Sequence, residues 1–151
     1  MHVLLQAGLR KDGSPVFEPV HVEQLGGRRH RVLFTPGLVY GIAAGDLIDL
    51  GDSGDFNVVL RGGNFAVRVY SQQPIAATEP DLTAKVKALL GGTLDGQVEK
   101  GLAYSISSKA GFTAINRFFD ALCSPKTGLL WEYGNVYAED GTPINWWRNA
   151  V

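Results

Sequence analysis

The stretch Gly62-Gly63-Asn64-Phe65-Ala66-Val67-Arg68-Val69-Tyr70 divides the sequence into two textures. From Phe65 to Tyr70 it alternates as a strand does. Phe65, Val67 and Val69 share one face, and Arg68 and Tyr70 share the other. Downstream, helix signals appear. Thr78 with Asp81 three residues on has the form of a capping box, and Pro80 falls in the first turn. Leu82, Val86, Leu89 and Leu90 then make an apolar stripe that Gly91-Gly92 closes. Thr93–Glu99 and Leu102–Ser107 read as a strand pair turned around Lys100-Gly101. Ser107 or Ser108 caps a second helix with Phe112, Ile115, Phe118, Phe119 and Leu122 on its buried face, and Leu129–Val136 is a last strand. The order β-α-β-β-α-β is that of the ferredoxin-like split βαβ unit.

Upstream of Gly62 the texture is β throughout, with turn signals about every eight to twelve residues. Strand-like runs cover Val3–Leu5, Val16–Leu25, Arg28–Phe34, Leu47–Leu50 and Phe56–Arg61. Val16, Val20 and Val22 share one parity, and Pro19 marks an edge or a bulge. Glycine accounts for 19 of 151 residues, roughly twice the usual share, with no short period. That excess suits a small barrel or a strongly curled antiparallel sheet, which needs tight corners. The sequence therefore predicts an α+β protein, with a small β-barrel-like N-terminal half packed on a ferredoxin-like βαββαβ half. Residues 1–64 form the first part, 65–137 the second and 138–151 a tail. Each half is near the lower size for independent stability, so the two are expected to share an apolar interface.

Net charge is −1, from 14 basic and 15 acidic residues. The halves are equally balanced: seven basic and seven acidic residues through Ile75, seven and eight after it. Neither half has the footprint of a nucleic-acid binder or of a protein held on an anionic membrane. A single cysteine, Cys123, excludes an internal disulfide, and the apolar run at Met1–Gln6 is too short for a signal peptide. These features predict a cytoplasmic protein.

The segment Phe34-Thr-Pro-Gly-Leu-Val-Tyr-Gly-Ile-Ala-Ala-Gly-Asp-Leu-Ile-Asp-Leu50 carries a P…YG…GD pattern. It resembles an element of a family of small bacterial proteins known only as domain of unknown function DUF4265. Members are of this length and continue into a βαββαβ half that ends in an acidic-aromatic strand like Trp131-Glu132-Tyr133-Gly134. The resemblance spans about residues 15–137. It implies the architecture and a bacterial origin; no catalytic residues come with it.

No local pattern supports catalysis. Asp46, Asp49, Asp52 and Asp55 recur every third residue, which does not match the alternate-position oxygen ligands of a calcium loop. They read as turn formers and solvent-facing strand residues. Cys123 falls at a helix end, where the dipole disfavours a thiolate. A nucleophile elbow, a zinc-protease helix and a phosphate loop are all missing from the sequence. No cofactor, metal or catalytic residue is assigned, and an enzyme using carboxylates from both halves, such as Asp46 with Glu132, is the least favoured class.

Two segments have the composition of a partner-binding surface. Arg29 and Arg31 share one strand face in the densest basic cluster, Arg28–Arg31, although Glu18 and Glu23 on the neighbouring strand can neutralise it. Trp146, Trp147 and Arg148 combine residue types favoured at interface hot spots. If the tail is a strand, the two rings point to opposite faces, one packed and one exposed; the other reading is a strap that buries both. The leading functional expectation is a non-enzymatic binding protein whose partner is a protein. By analogy it would be an immunity protein that occludes a secreted toxin domain. A small-molecule-sensing regulatory protein is the second expectation.

Overall fold

A computed structural model describes residues 1–149. Two antiparallel sheets and two helices make an α+β fold. The first sheet is a meander of β1 (His2–Leu9), β2 (Pro15–Gly26), β3 (Arg29–Val32), β4 (Leu47–Leu50) and β5 (Phe56–Leu60), in that spatial order. Alternation decides its inner face: Leu5, Val20, Val22, Val32 and Ile48 are all buried. Strand β2 pairs with β1 from Pro15 to His21 and with β3 only from Val22 onward. Pro19 therefore lies where β2 has a neighbour on one side alone, as its missing N–H requires.

This sheet curls but does not close into a barrel. The Gln6 N–H donates to the Gly54 carbonyl in the β4–β5 turn at 2.9 Å, yet β5 pairs with β4 alone. The mouth is filled instead by the segment between β3 and β4. Val39 and Ile42 from that segment are buried against Leu5, Val20 and Val32. The P…YG…GD segment thus supplies part of the core as well as a connection.

The second sheet has the order β7-β8-β6-β9, with β6 (Asn64–Ser71), β7 (Thr93–Val98), β8 (Gly101–Ser107) and β9 (Leu129–Tyr133). Helices α1 (Glu79–Leu90) and α2 (Phe112–Leu122) pack on the face carrying Phe65, Val67, Val69, Tyr104 and Ile106. Three local expectations are corrected. Thr78 makes no side-chain cap because its own backbone is already helical. Leu89 is exposed, and only Leu82, Val86 and Leu90 face the sheet. Ser107 caps a short 3₁₀ turn over residues 108–110, and Gly111 precedes α2. Among the described residues no helix is long and apolar enough to cross a membrane.

The apolar residues form two separate clusters, one per sheet. The shared apolar interface expected between the halves is replaced by a polar seam. The Asn64 amide donates to the Ala44 carbonyl at 2.8 Å, the Gly41 N–H to the Gly134 carbonyl at 2.8 Å, and the Thr35 N–H to Asp95 at 2.8 Å. Gly62 packs against Gly45 so closely that a Cβ at Gly62 would lie 2.6 Å from the Gly45 carbonyl oxygen. Gly62→Ala is expected to cost about 1–3 kcal/mol through this overlap of backbone on backbone. Gly96→Ala, whose added methyl would meet nothing nearer than Ala103 at 3.9 Å, should stay within about 0.5 kcal/mol of the parent. Urea midpoints of the two variants check the contrast.

Candidate functional site

Arg68 projects from β6 on the face away from the helices, as the alternation predicts, and its side chain is only 1% exposed. Space for the guanidinium comes from a small neighbour: a Cβ at Gly134 would stand 3.1 Å from both Cζ and Nε of Arg68. The guanidinium donates to the Leu38 carbonyl at 3.3 Å and to the Val39 carbonyl. It lies over the Tyr40 ring, 4.4 Å from the centroid, where the negative π-face favours a cation. The Glu132 carboxylate, at 3.9 Å, offsets its charge. Nε is buried without an acceptor among the described residues.

The opposite edge of the tripeptide Gly37-Leu38-Val39 is held by a carboxylate. Glu18, projecting inward from β2, accepts the N–H groups of Gly37, Leu38 and Val39 at 2.9, 3.0 and 2.9 Å. Further along the segment, Asp46 is buried and accepts the N–H groups of Ala43 and Gly62 at 3.0 and 2.8 Å, with Arg61 at 3.5 Å. Burial pushes its carboxyl above the usual range, against the pull of those hydrogen bonds. Asp46 is therefore a turn former, as read, but not solvent-facing.

Between the halves, Glu132 on β9 gathers two phenols on one oxygen. Tyr40 donates to Oε1 at 2.6 Å and Tyr70 at 2.9 Å. Burial and the negative charge of Glu132 push Tyr70 up to about 12. Tyr40 is raised as well, by burial and by its bond to Glu132. Tyr40 stands between two hollows. One, of about 250 Å³, is lined by Leu9, Leu38, Arg68 and Tyr70 among others. The other is a groove of about 640 Å³ lined by Gln6, Glu132, Tyr137 and Glu139 among others.

The residues singled out in the sequence lie elsewhere. Arg29 pairs with Asp49 at 3.0 Å and Arg31 with Glu23 at 2.8 Å, both on the exposed sheet surface. Glu23 thus neutralises Arg31 as expected, Asp49 and Asp52 rather than Glu18 neutralise Arg29 and Arg28, and Glu18 is committed to the tripeptide. Trp146 and Trp147 are in a 3₁₀ turn, Trp146–Asn149, not a strand. Both rings pack on the helix-covered core, 5.2 and 5.9 Å from Phe65, and the Trp146 indole donates to the Asn135 carbonyl at 2.9 Å. The tail is a strap with both rings half-buried; Arg148 is exposed. Asp49 and Asp52 pair with Arg29 and Arg28, and Asp55 accepts from the Ser53 N–H. Burial pushes the Cys123 thiol up to about 11. Asp46 and Glu132 are held by different partners and share none.

In the sequence Glu18 reads as a strand residue able to neutralise the Arg28–Arg31 cluster, a role the structure does not give it. Nothing local in the sequence signals that its acceptors serve a loop about twenty residues on. Glu18→Ala is expected to cost about 1–3 kcal/mol, because the tripeptide's N–H groups lose their acceptor in a part-buried place; chemical denaturation measures it. Tyr70 generates a pH prediction. Its phenol titrates near 10 when unperturbed and about 12 in the fold, so it contributes stability that is complete below pH 10. That contribution is lost as pH rises toward 12. The thermal midpoint should fall over this window, and Tyr70→Phe should shrink the fall; ultraviolet tyrosinate absorbance follows the late phase directly.

Comparison with known proteins supports the same architecture. A solved structure described as a novel crystal structure of a hypothetical protein from Neisseria gonorrhoeae aligns with a TM-score of 0.61 at 15% identity. The alignment covers 88% of this chain and 91% of that one, and at such identity it speaks for the fold alone. No curated protein matches. The family described as Domain of unknown function (DUF4265) matches residues 18–128, from Glu18 through the P…YG…GD segment and Arg68 to the end of the α2 region; β9 and the tail lie outside it. By this match the chain belongs to the DUF4265 family.

Proposed function

We propose that the chain is a non-enzymatic bacterial binding protein, built as a curled β half on a ferredoxin-like half, whose partner is another protein. The observation that carries this reading is the exposure of large side chains along the seam. Leu9, Leu38, Tyr40 and Tyr137 are each half or more exposed and line the two adjoining hollows. Apolar groups left in water on a surface this well braced mark an interaction site. Leu38 and Tyr40 flank Val39 in the segment held between Glu18 and Arg68, so little ordering entropy is lost when a partner docks. Tyrosines are enriched among the residues that dominate binding energy at interfaces. An immunity protein that occludes a cognate toxin domain is the partner class we favour, with an interface of about 1,600 Å².

Co-expression with the product of each adjacent gene tests the proposal. One product is expected to be retained as a stoichiometric complex. Leu38→Asp with Tyr40→Ala should weaken retention at least about a hundredfold, while Arg29→Gln leaves it unchanged. If every neighbour separates from the chain, or if the seam variant binds like the parent, the proposal fails.

A further inference from the structure

Among the charged side chains lining the larger groove beside Tyr40, both are acidic: Glu132 and Glu139. Glu132 is already oriented. Its Oε1 accepts both phenols, and Arg68 approaches that same oxygen at 3.9 Å. Oε2 accepts no hydrogen bond among the described residues. Arg68 does not reach further into the groove, since its terminal nitrogens serve the Leu38 and Val39 carbonyls. The walls add aromatic surface from Tyr40 and Tyr137, each about half exposed at 52% and 55%. A half-buried carboxylate with a free oxygen, a second carboxylate at the rim and two tyrosine rings form the environment in which an organic cation is best held. Charge-assisted hydrogen bonds and cation–π attraction act there together.

We propose that this groove receives a basic side chain, arginine or lysine, presented by the protein partner. The inference rests on the protein-binding reading and names what the partner inserts. Tyr40 would act twice: its hydroxyl fixes the Glu132 rotamer, and its exposed ring forms a wall. The phenols donate to the acceptor and carry no charge of their own at neutral pH, so the groove stays anionic.

The full chain should be titrated with acetyl-arginine methylamide, acetyl-lysine methylamide and the neutral acetyl-citrulline methylamide, followed by backbone amide shifts. The two cationic probes are expected to move the amides of Tyr40, Glu132 and Tyr137, at least about tenfold more tightly than citrulline. Glu132→Gln keeps an oxygen acceptor for the phenols and should weaken both cations about tenfold, with no effect on citrulline. If that variant does not fold, Glu139→Gln and Tyr137→Ala, both at exposed positions, should each weaken the cations about threefold. Equal binding of citrulline, shifts confined to other surfaces, or no shift with any probe would overturn the cation assignment. If a neighbouring gene product is retained while the probes leave the groove unmoved, this inference alone falls. If the cations bind but no protein is retained, the groove chemistry stands and the protein-partner reading falls.

Discussion

The tripeptide Gly37-Leu38-Val39 is bonded along both edges by opposite charges. Its three N–H groups point to the Glu18 carboxylate of the five-stranded sheet. Two of its carbonyls point to the Arg68 guanidinium of the four-stranded sheet. A loop running between two sheets carries backbone groups that neither ladder can satisfy, and leaving them buried and unpaired is costly. Here an acceptor-only side chain meets the donors, and a donor-only side chain meets the acceptors. Each charge is thereby bonded, which is what permits Arg68 to be almost fully buried. This clamp joins the two halves together with the Asn64–Ala44, Gly41–Gly134 and Thr35–Asp95 bonds.

A polar seam of this kind trades adaptability for geometry. An apolar interface tolerates small shifts, because van der Waals contact is not directional. Charge-assisted hydrogen bonds weaken steeply once bent. Gly62 against Gly45 extends the same constraint into sterics, since a methyl group at Gly62 would overlap the Gly45 backbone across the seam, while Gly134 leaves the room that the Arg68 guanidinium occupies. Leu38 and Tyr40 are thus presented from a segment bonded on both edges.

The strands and helices were legible because their information is local. Alternation in Phe65–Tyr70 placed Arg68 opposite the apolar face, and the stripe through Ile115 and Phe119 placed α2 on the core. The turn signals separated five strands correctly, but whether a curled sheet closes depends on β1 meeting β5, a contact that no local pattern encodes. The seam was illegible for the same reason. Glu18 resembled a partner for the basic cluster on β3, since Glu23 on the same strand is one; only the path of the 33–46 segment assigns Glu18 to the loop. The tail was left between two readings, a strand or a strap, and the structure takes the strap. Two adjacent tryptophans point apart in a strand, but in a 3₁₀ turn they can both reach the same core.

The two phenols at the seam, Tyr40 and Tyr70, are shifted in the direction that keeps them neutral, and burial raises the Asp46 carboxyl as well. Asp46 could serve as a base only if substrate reached it, and it is buried with its oxygens turned to two N–H groups and Arg61. Tyr70 and Tyr40 are raised, which holds them as neutral donors, and Cys123 is raised away from the thiolate. An active site normally shifts a nucleophile's titration the other way, toward the working pH. What these groups do well is hold shape: neutral phenols orient Glu132, and Glu132 offsets Arg68. The carboxylate oxygen left over is available to an incoming cation without any proton transfer. That free oxygen is what the proposed recognition of a basic side chain uses.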